Sequence, residues 1–100
     1  MGLLKTTITD SGIEVWNAYY RIDSLVVRSD QCEYFLHGYV SRSYFNQGKS
    51  PILTERRTMT VDLHDDALNF TRQIYANLKS DGEFIEARDV LEDGQLPLNN

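Results

Sequence analysis

Across residues 13–28 apolar and polar side chains alternate. Trp16, Ala18, Tyr20, Ile22 and Val26 take even positions, and Asn17, Arg21 and Asp23 take the odd positions in the middle. A repeat of two belongs to a strand with one face buried. Ile13 and Val15 at one end, and Leu25 and Val27 at the other, fall on the wrong parity. That calls for a bulge, a bend, or burial of both faces at the ends. Upstream, residues 3–9 are rich in Thr and Ile and run into Asp10-Ser11-Gly12, which predicts a short strand and a hairpin turn.

Downstream, residues 28–31 form a turn signal and residues 32–41 a returning strand. Tyr34, Leu36 and Val40 share one face of it, and Phe35, His37 and Tyr39 the other. Gly38 marks a bulge or a close backbone approach. Residues 43–51 carry loop chemistry (Asn46, Gln47, Gly48, Ser50, Pro51). Residues 52–63 alternate again, with Leu53, Met59, Val61 and Leu63 set against Thr54, Arg56, Thr58, Thr60 and Asp62. Asp65-Asp66 then supply a helix cap. Phe70, Ile74 and Leu78 recur at i, i+4 and i+8 with Ala67 and Tyr75 beside them, so the pattern predicts an amphipathic helix over 66–80 that stops at Asp81-Gly82. Residues 83–91 read either as a second short helix or as an extended edge segment, and residues 95–100 as a flexible tail. The predicted fold class is α+β: a mainly antiparallel sheet of about four strands with one C-terminal amphipathic helix packed on it, in a single domain over residues 1–94.

Composition narrows the classes. One hundred residues, 41% hydrophobic and 25% charged, match one globular domain and argue against a disordered or fibrous chain. No apolar run exceeds three residues, too short to insert in a membrane as a helix, and the first ten residues lack the apolar stretch of a signal peptide. Cys32 stands alone, which excludes an internal disulfide and a cysteine-ligated zinc. The net charge of −5 is unevenly placed: residues 1–57 carry seven basic and six acidic residues, residues 58–100 three basic and nine acidic. An acidic surface repels a phosphate backbone, so no nucleic-acid partner is expected. A solvated acidic face or a contact for a basic partner both fit.

Candidate chemistry is sparse. His64-Asp65-Asp66 has the residue types of a divalent-metal site, but three successive side chains diverge on any regular backbone, and capping aspartates are the commoner reading. Cys32 and His37, five apart on one strand, face opposite ways. Gly48-Lys49-Ser50 mimics the end of a phosphate-binding loop, yet Ser43 stands where a glycine is needed and Pro51 where a helix should begin. The aromatic face of Phe35, His37 and Tyr39 has few basic neighbours. No catalytic residue, metal ligand or cofactor is assigned, and the expectation is a chain that is not an enzyme.

Several stretches resemble the short proteins of tail and structural modules of tailed bacteriophages and prophages. They are Ser11-Gly12 followed by Ala18-Tyr19-Tyr20-Arg21-Ile22; Gly38-Tyr39-Val40-Ser41 leading to Gly48-Lys49-Ser50-Pro51; and Ile74-Tyr75-Ala76-Asn77-Leu78-Lys79 followed by Glu83-Phe84-Ile85-Glu86-Ala87-Arg88-Asp89-Val90. The polar Ser80-Asp81-Gly82 departs from such relatives. The resemblance implies a β-rich virion or assembly component, located in the virion or the host cytoplasm during assembly. Its partners would be copies of itself or other phage structural proteins, and it implies no catalytic residues. Tyrosine provides contact area at low entropic cost, so Tyr19, Phe35, Tyr39 and Tyr44 are the expected protein-contact residues. An acidic phage inhibitor or adaptor that binds a basic host protein is the alternative.

Overall fold

A computed structural model of the chain describes residues 2–80 and 82–91. Five strands form one antiparallel sheet: β1 (Gly2–Ile8), β2 (Glu14–Arg28), β3 (Gln31–Tyr39), β4 (Leu53–Thr60) and β5 (Arg88–Val90), in the order β4-β3-β2-β1-β5. Two helices complete the fold, α1 (Arg42–Asn46) and α2 (Phe70–Ser80). The α+β class is the one the sequence predicts. The sheet has five strands instead of about four, because the end of the 83–91 segment is an edge strand that pairs Gly2, Leu3 and Leu4 with Val90, Asp89 and Arg88. The tail expected at 95–100, like the end of the 1–94 domain, lies outside the described residues.

The parity breaks in β2 are two bulges. Lys5 pairs with Ala18 but Thr7 with Val15, so Trp16 and Asn17 together oppose Thr6. Asn17 adopts φ 54°, a left-handed conformation that asparagine tolerates better than most residues. Its backbone N–H donates to the Thr6 hydroxyl (3.2 Å), and its side-chain oxygen accepts from Arg88 of β5 (2.9 Å). The second bulge is Asp23: Ile22 pairs with Leu36 and Ser24 with Phe35. Each extra residue flips the side-chain alternation. Val15, then Ala18, Tyr20 and Ile22, then Leu25 and Val27 therefore all pack in or against one core. Trp16 and Val26, expected on the buried face, are turned out and stand 72% and 54% exposed.

That core lies between the sheet and the C-terminal part of the chain. From the sheet come Leu3, Cys32, Tyr34 and Leu36; from α2 come Ile74, Tyr75 and Leu78; Phe84 and Ala87 follow from the turn segment before β5. Tyr20 meets Phe84 edge to face at 5.1 Å, and Gly38 leaves room for the Tyr20 ring, since a Cβ there would lie 2.9 Å from its Cε1. Lys5 and Arg57 lie over the Phe84 ring (4.8 and 5.6 Å to its centroid), and Glu83 bonds Arg57 at 3.0 Å. Leu63, expected on the buried face of its strand, is exposed beyond the end of β4.

The helix starts later than predicted. Residues 64–67 make a turn closed by Ala67 N–H to His64 O (3.0 Å), and Asn69 caps α2 by accepting from Arg72 N–H (2.9 Å). Gln73 ties this loop down, accepting from Asp62 N–H (2.7 Å) and donating to the carbonyls of Asp62 and Leu68 (2.9 and 2.7 Å). Asp65 and Asp66 are turn residues, not caps. Part of the loop expected over 43–51 is α1, capped by the Ser41 hydroxyl on Tyr44 N–H at 3.1 Å. Its Phe45 packs on Tyr19 and Tyr39 (5.5 and 5.0 Å between centroids), forming a second cluster with Leu4 and Val90. The Arg21 guanidinium stacks over Phe45 at 4.3 Å.

Two buried hydroxyls make opposite predictions. Tyr75 accepts the Ile22 N–H next to the second bulge (3.0 Å), whereas the Tyr19 hydroxyl has no hydrogen-bond partner among the described residues. Tyr75→Phe strands a buried donor and should cost about 1–3 kcal/mol in urea unfolding, while Tyr19→Phe should be neutral or stabilising. Desolvation also pushes the Tyr75 hydroxyl up to about 12 from its ordinary value of 10.0. The unfolded chain loses that proton first, so the contribution of Tyr75 is intact below pH 10 and disappears as pH rises through 12. Stability measured across that window should fall less steeply in Tyr75→Phe than in the parent chain.

Candidate protein-contact surface

The four expected contact residues divide by burial. Tyr19 and Tyr39 are closed off between the sheet and α1, so they hold α1 in place and offer no surface to a partner. Burial pushes the Tyr39 hydroxyl up, with Asp23 adding to the shift. Phe35 and Tyr44 remain open, 37% and 46% exposed. Val26 joins Phe35 on the open face, since Val26 pairs with Glu33 and Phe35 with Ser24 on adjacent strands. Arg56 stands opposite Phe35 and bonds Glu33, so a charged pair borders this aromatic spot.

The sequence pattern alone missed the hairpin end. Ile8, Ile13 and Trp16 are all exposed around the β1–β2 connection, whose turn is held by Thr9 N–H to Ile13 O and Gly12 N–H to Thr9 O, both 2.8 Å. Gly12 carries the positive φ (87°) that the turn requires. The mismatch of Ile13 with the alternation was the available signal, but Trp16 was legible only once the bulge residue was known. Burying an exposed isoleucine fully is worth about 1.5–3 kcal/mol, so three such groups on one hairpin have a considerable capacity for association.

The other sequence candidates stay apart. Cys32 lies in the core and desolvation raises its thiol pKa, the reverse of an activated nucleophile. His37 faces the opposite side and meets the Tyr39 hydroxyl at 3.3 Å. The His64 ring bonds Asp62 at 2.5 Å, and the His64 backbone N–H, with the ring, holds the Asp62 carboxyl below the usual carboxylate range. Beside them lies an open depression of ≈ 250 Å³ lined by Asp62, Leu63, His64, Leu68, Asn69 and Phe70. Among the described residues no three His, Cys, Asp or Glu side chains converge as a metal site. No helix among them is long and apolar enough to cross a membrane.

Of the acids after residue 57, three among the described residues are engaged within the fold: Asp62 with His64, Glu83 with Arg57, and Asp89 with Lys79 at 2.7 Å. Asp65, Asp66 and Glu86 are exposed. Comparison with known protein families, characterised proteins and solved structures finds no match to this chain.

Trp16 is the only tryptophan, so fluorescence excited beyond the tyrosine absorption band reports on the hairpin end alone. Free protein should show solvent-exposed, readily quenched emission. Docking of a partner on this end should shift emission to the blue and protect it from acrylamide, and Trp16→Ala should leave the melting temperature within the small range of a surface change.

Proposed function

We propose that the chain is a non-enzymatic structural or assembly protein of a tailed bacteriophage that works through protein–protein contacts in or near the tail. The observation that carries the contact part is the exposure of Ile8, Ile13 and Trp16 at one hairpin end. Large apolar side chains left in the open at one end of a sheet favour association, and Trp is among the residues enriched where partners meet. Phe35, Val26 and Tyr44 are further exposed apolar side chains, away from the hairpin end. The phage assignment rests on the resemblance of the sequence stretches quoted above, and it puts the protein in the virion or in the host cytoplasm during assembly.

Mass spectrometry of purified virions and light scattering of the isolated protein test this reading together. Detection in particles, or an oligomer in solution that Trp16→Ala weakens, is expected. A strictly monomeric protein absent from particles would overturn it. The alternative, an inhibitor or adaptor for a basic host protein, draws on the exposed acids Asp62, Asp65 and Asp66. Its binding would weaken steeply with added salt, whereas apolar docking at the hairpin would not.

A further inference from the structure

We propose that two copies of this chain pair edge to edge along β4, as an antiparallel two-fold dimer centred on Arg56. The inference rests on the protein-contact reading above and goes beyond it, adding a second surface, the β4 edge, with a second copy as its partner and a stated register.

The two sheet edges are unequal. β5 is three residues long, while β4 runs for eight with unbroken register from Gln31↔Thr60 to Gly38↔Leu53. Bulges, prolines and short length are the usual guards of a strand edge, and β4 has none of them within its span. The Val61 N–H bond to Asp30 O (2.8 Å) sets the phase of the ladder. The odd residues of β4 face β3 with their backbone groups, and Thr54, Arg56, Thr58 and Thr60 direct theirs outward. β4 is the longer regular edge among the described residues, and a two-fold pairing of β4 with β4 uses that edge on both copies, so it closes at two.

Charge selects the register. Glu55 and Arg57 share the apolar face of the strand, where they bond each other at 2.7 Å while Arg57 also holds Glu83 at 3.0 Å. Inward-facing charges discourage an uncharged strand from extending a sheet. A second copy answers them. Centred on Arg56, each Glu55 lies opposite the other copy's Arg57, Leu53 lies opposite Met59, and Thr54 lies opposite Thr58. Thr54, Arg56 and Thr58 then occupy the hydrogen-bonded positions that their outward backbone groups require. Centring on Glu55 sets glutamates face to face, and centring on Arg57 does so with arginines. The one like-charge pair in the favoured register is Arg56 with its counterpart, and each is already held by its own Glu33.

Sedimentation velocity on the full chain tests this. The parent chain should sediment as a dimer. Thr58→Pro removes an outward N–H that no bond within the described fold uses, and it should give a monomer with unchanged circular dichroism and melting. Glu55→Arg alone and Arg57→Glu alone should each be monomeric, because like charges then face each other. Mixed in equal amounts, these two variants should recover a heterodimer, an outcome that a role confined to the internal Glu55–Arg57 pair does not produce. If either charge variant fails to fold, Thr58→Pro decides. A parent chain that stays monomeric at its highest soluble concentration, or a dimer that Thr58→Pro leaves intact, overturns the edge pairing. The second result leaves the assembly reading standing through another surface, whereas a monomer also absent from virions removes both.

Discussion

The fold depends on keeping a single apolar face along a strand of fifteen residues whose sequence changes step twice. β2 pairs with β1 on one side and β3 on the other, so any slip in it propagates through the sheet. The extra residues at Trp16–Asn17 and Asp23 absorb both changes. Without them the central Ala18, Tyr20 and Ile22 could not share a face with Val15, Leu25 and Val27. The remaining core contacts presuppose that alignment: the Tyr20 ring over Gly38, Leu36 beside Ile22, and the Tyr75 hydroxyl on the Ile22 N–H.

The same bulges generate the surface. A residue that loses its place on the inner face must go outward, and Trp16 and Val26 are the large apolar residues displaced in this way. Core and exposed apolar surface thus arise from one backbone adjustment. Polar interactions follow a comparable division. Glu83 and Asp89 serve the fold through Arg57 and Lys79, leaving the turn aspartates and Glu86 to set the charge of the exterior.

Much of this fold was legible in the residues. Alternation located the strands, the i, i+4, i+8 stripe located α2, and the parity errors in β2 already required an irregularity. The positions were not legible, because Asn17 and Asp23 look like ordinary outward polar residues until the register against Thr6 on one side and Leu36 and Phe35 on the other is known. The cap of α2 is ambiguous in the sequence for a similar reason. Asp65-Asp66 and Asn69 are all competent caps, and Gln73, by binding the backbone of Asp62 and Leu68, favours the later start. Of the contact candidates, Phe35 and Tyr44 proved open, whereas α1, hidden in a loop-like composition, closed over Tyr19 and Tyr39. Phe84 gave no periodic signal, since it enters the core from a turn.

Strand order also has a bearing on synthesis. β1 to β4 are neighbours in sequence and can zip together as they leave the ribosome, but β1 waits for β5 to cover its outer side. Phe84 reaches the core with that same late segment. A nascent or truncated chain ending after α2 would carry an open edge on each side of the sheet. What is a self-limiting surface in the finished protein would then become a two-ended one, suited to growing polymers. β5 covers the Gly2–Leu4 end of the β1 edge, and its late place in the chain delays this cover until Arg88–Val90 has been made.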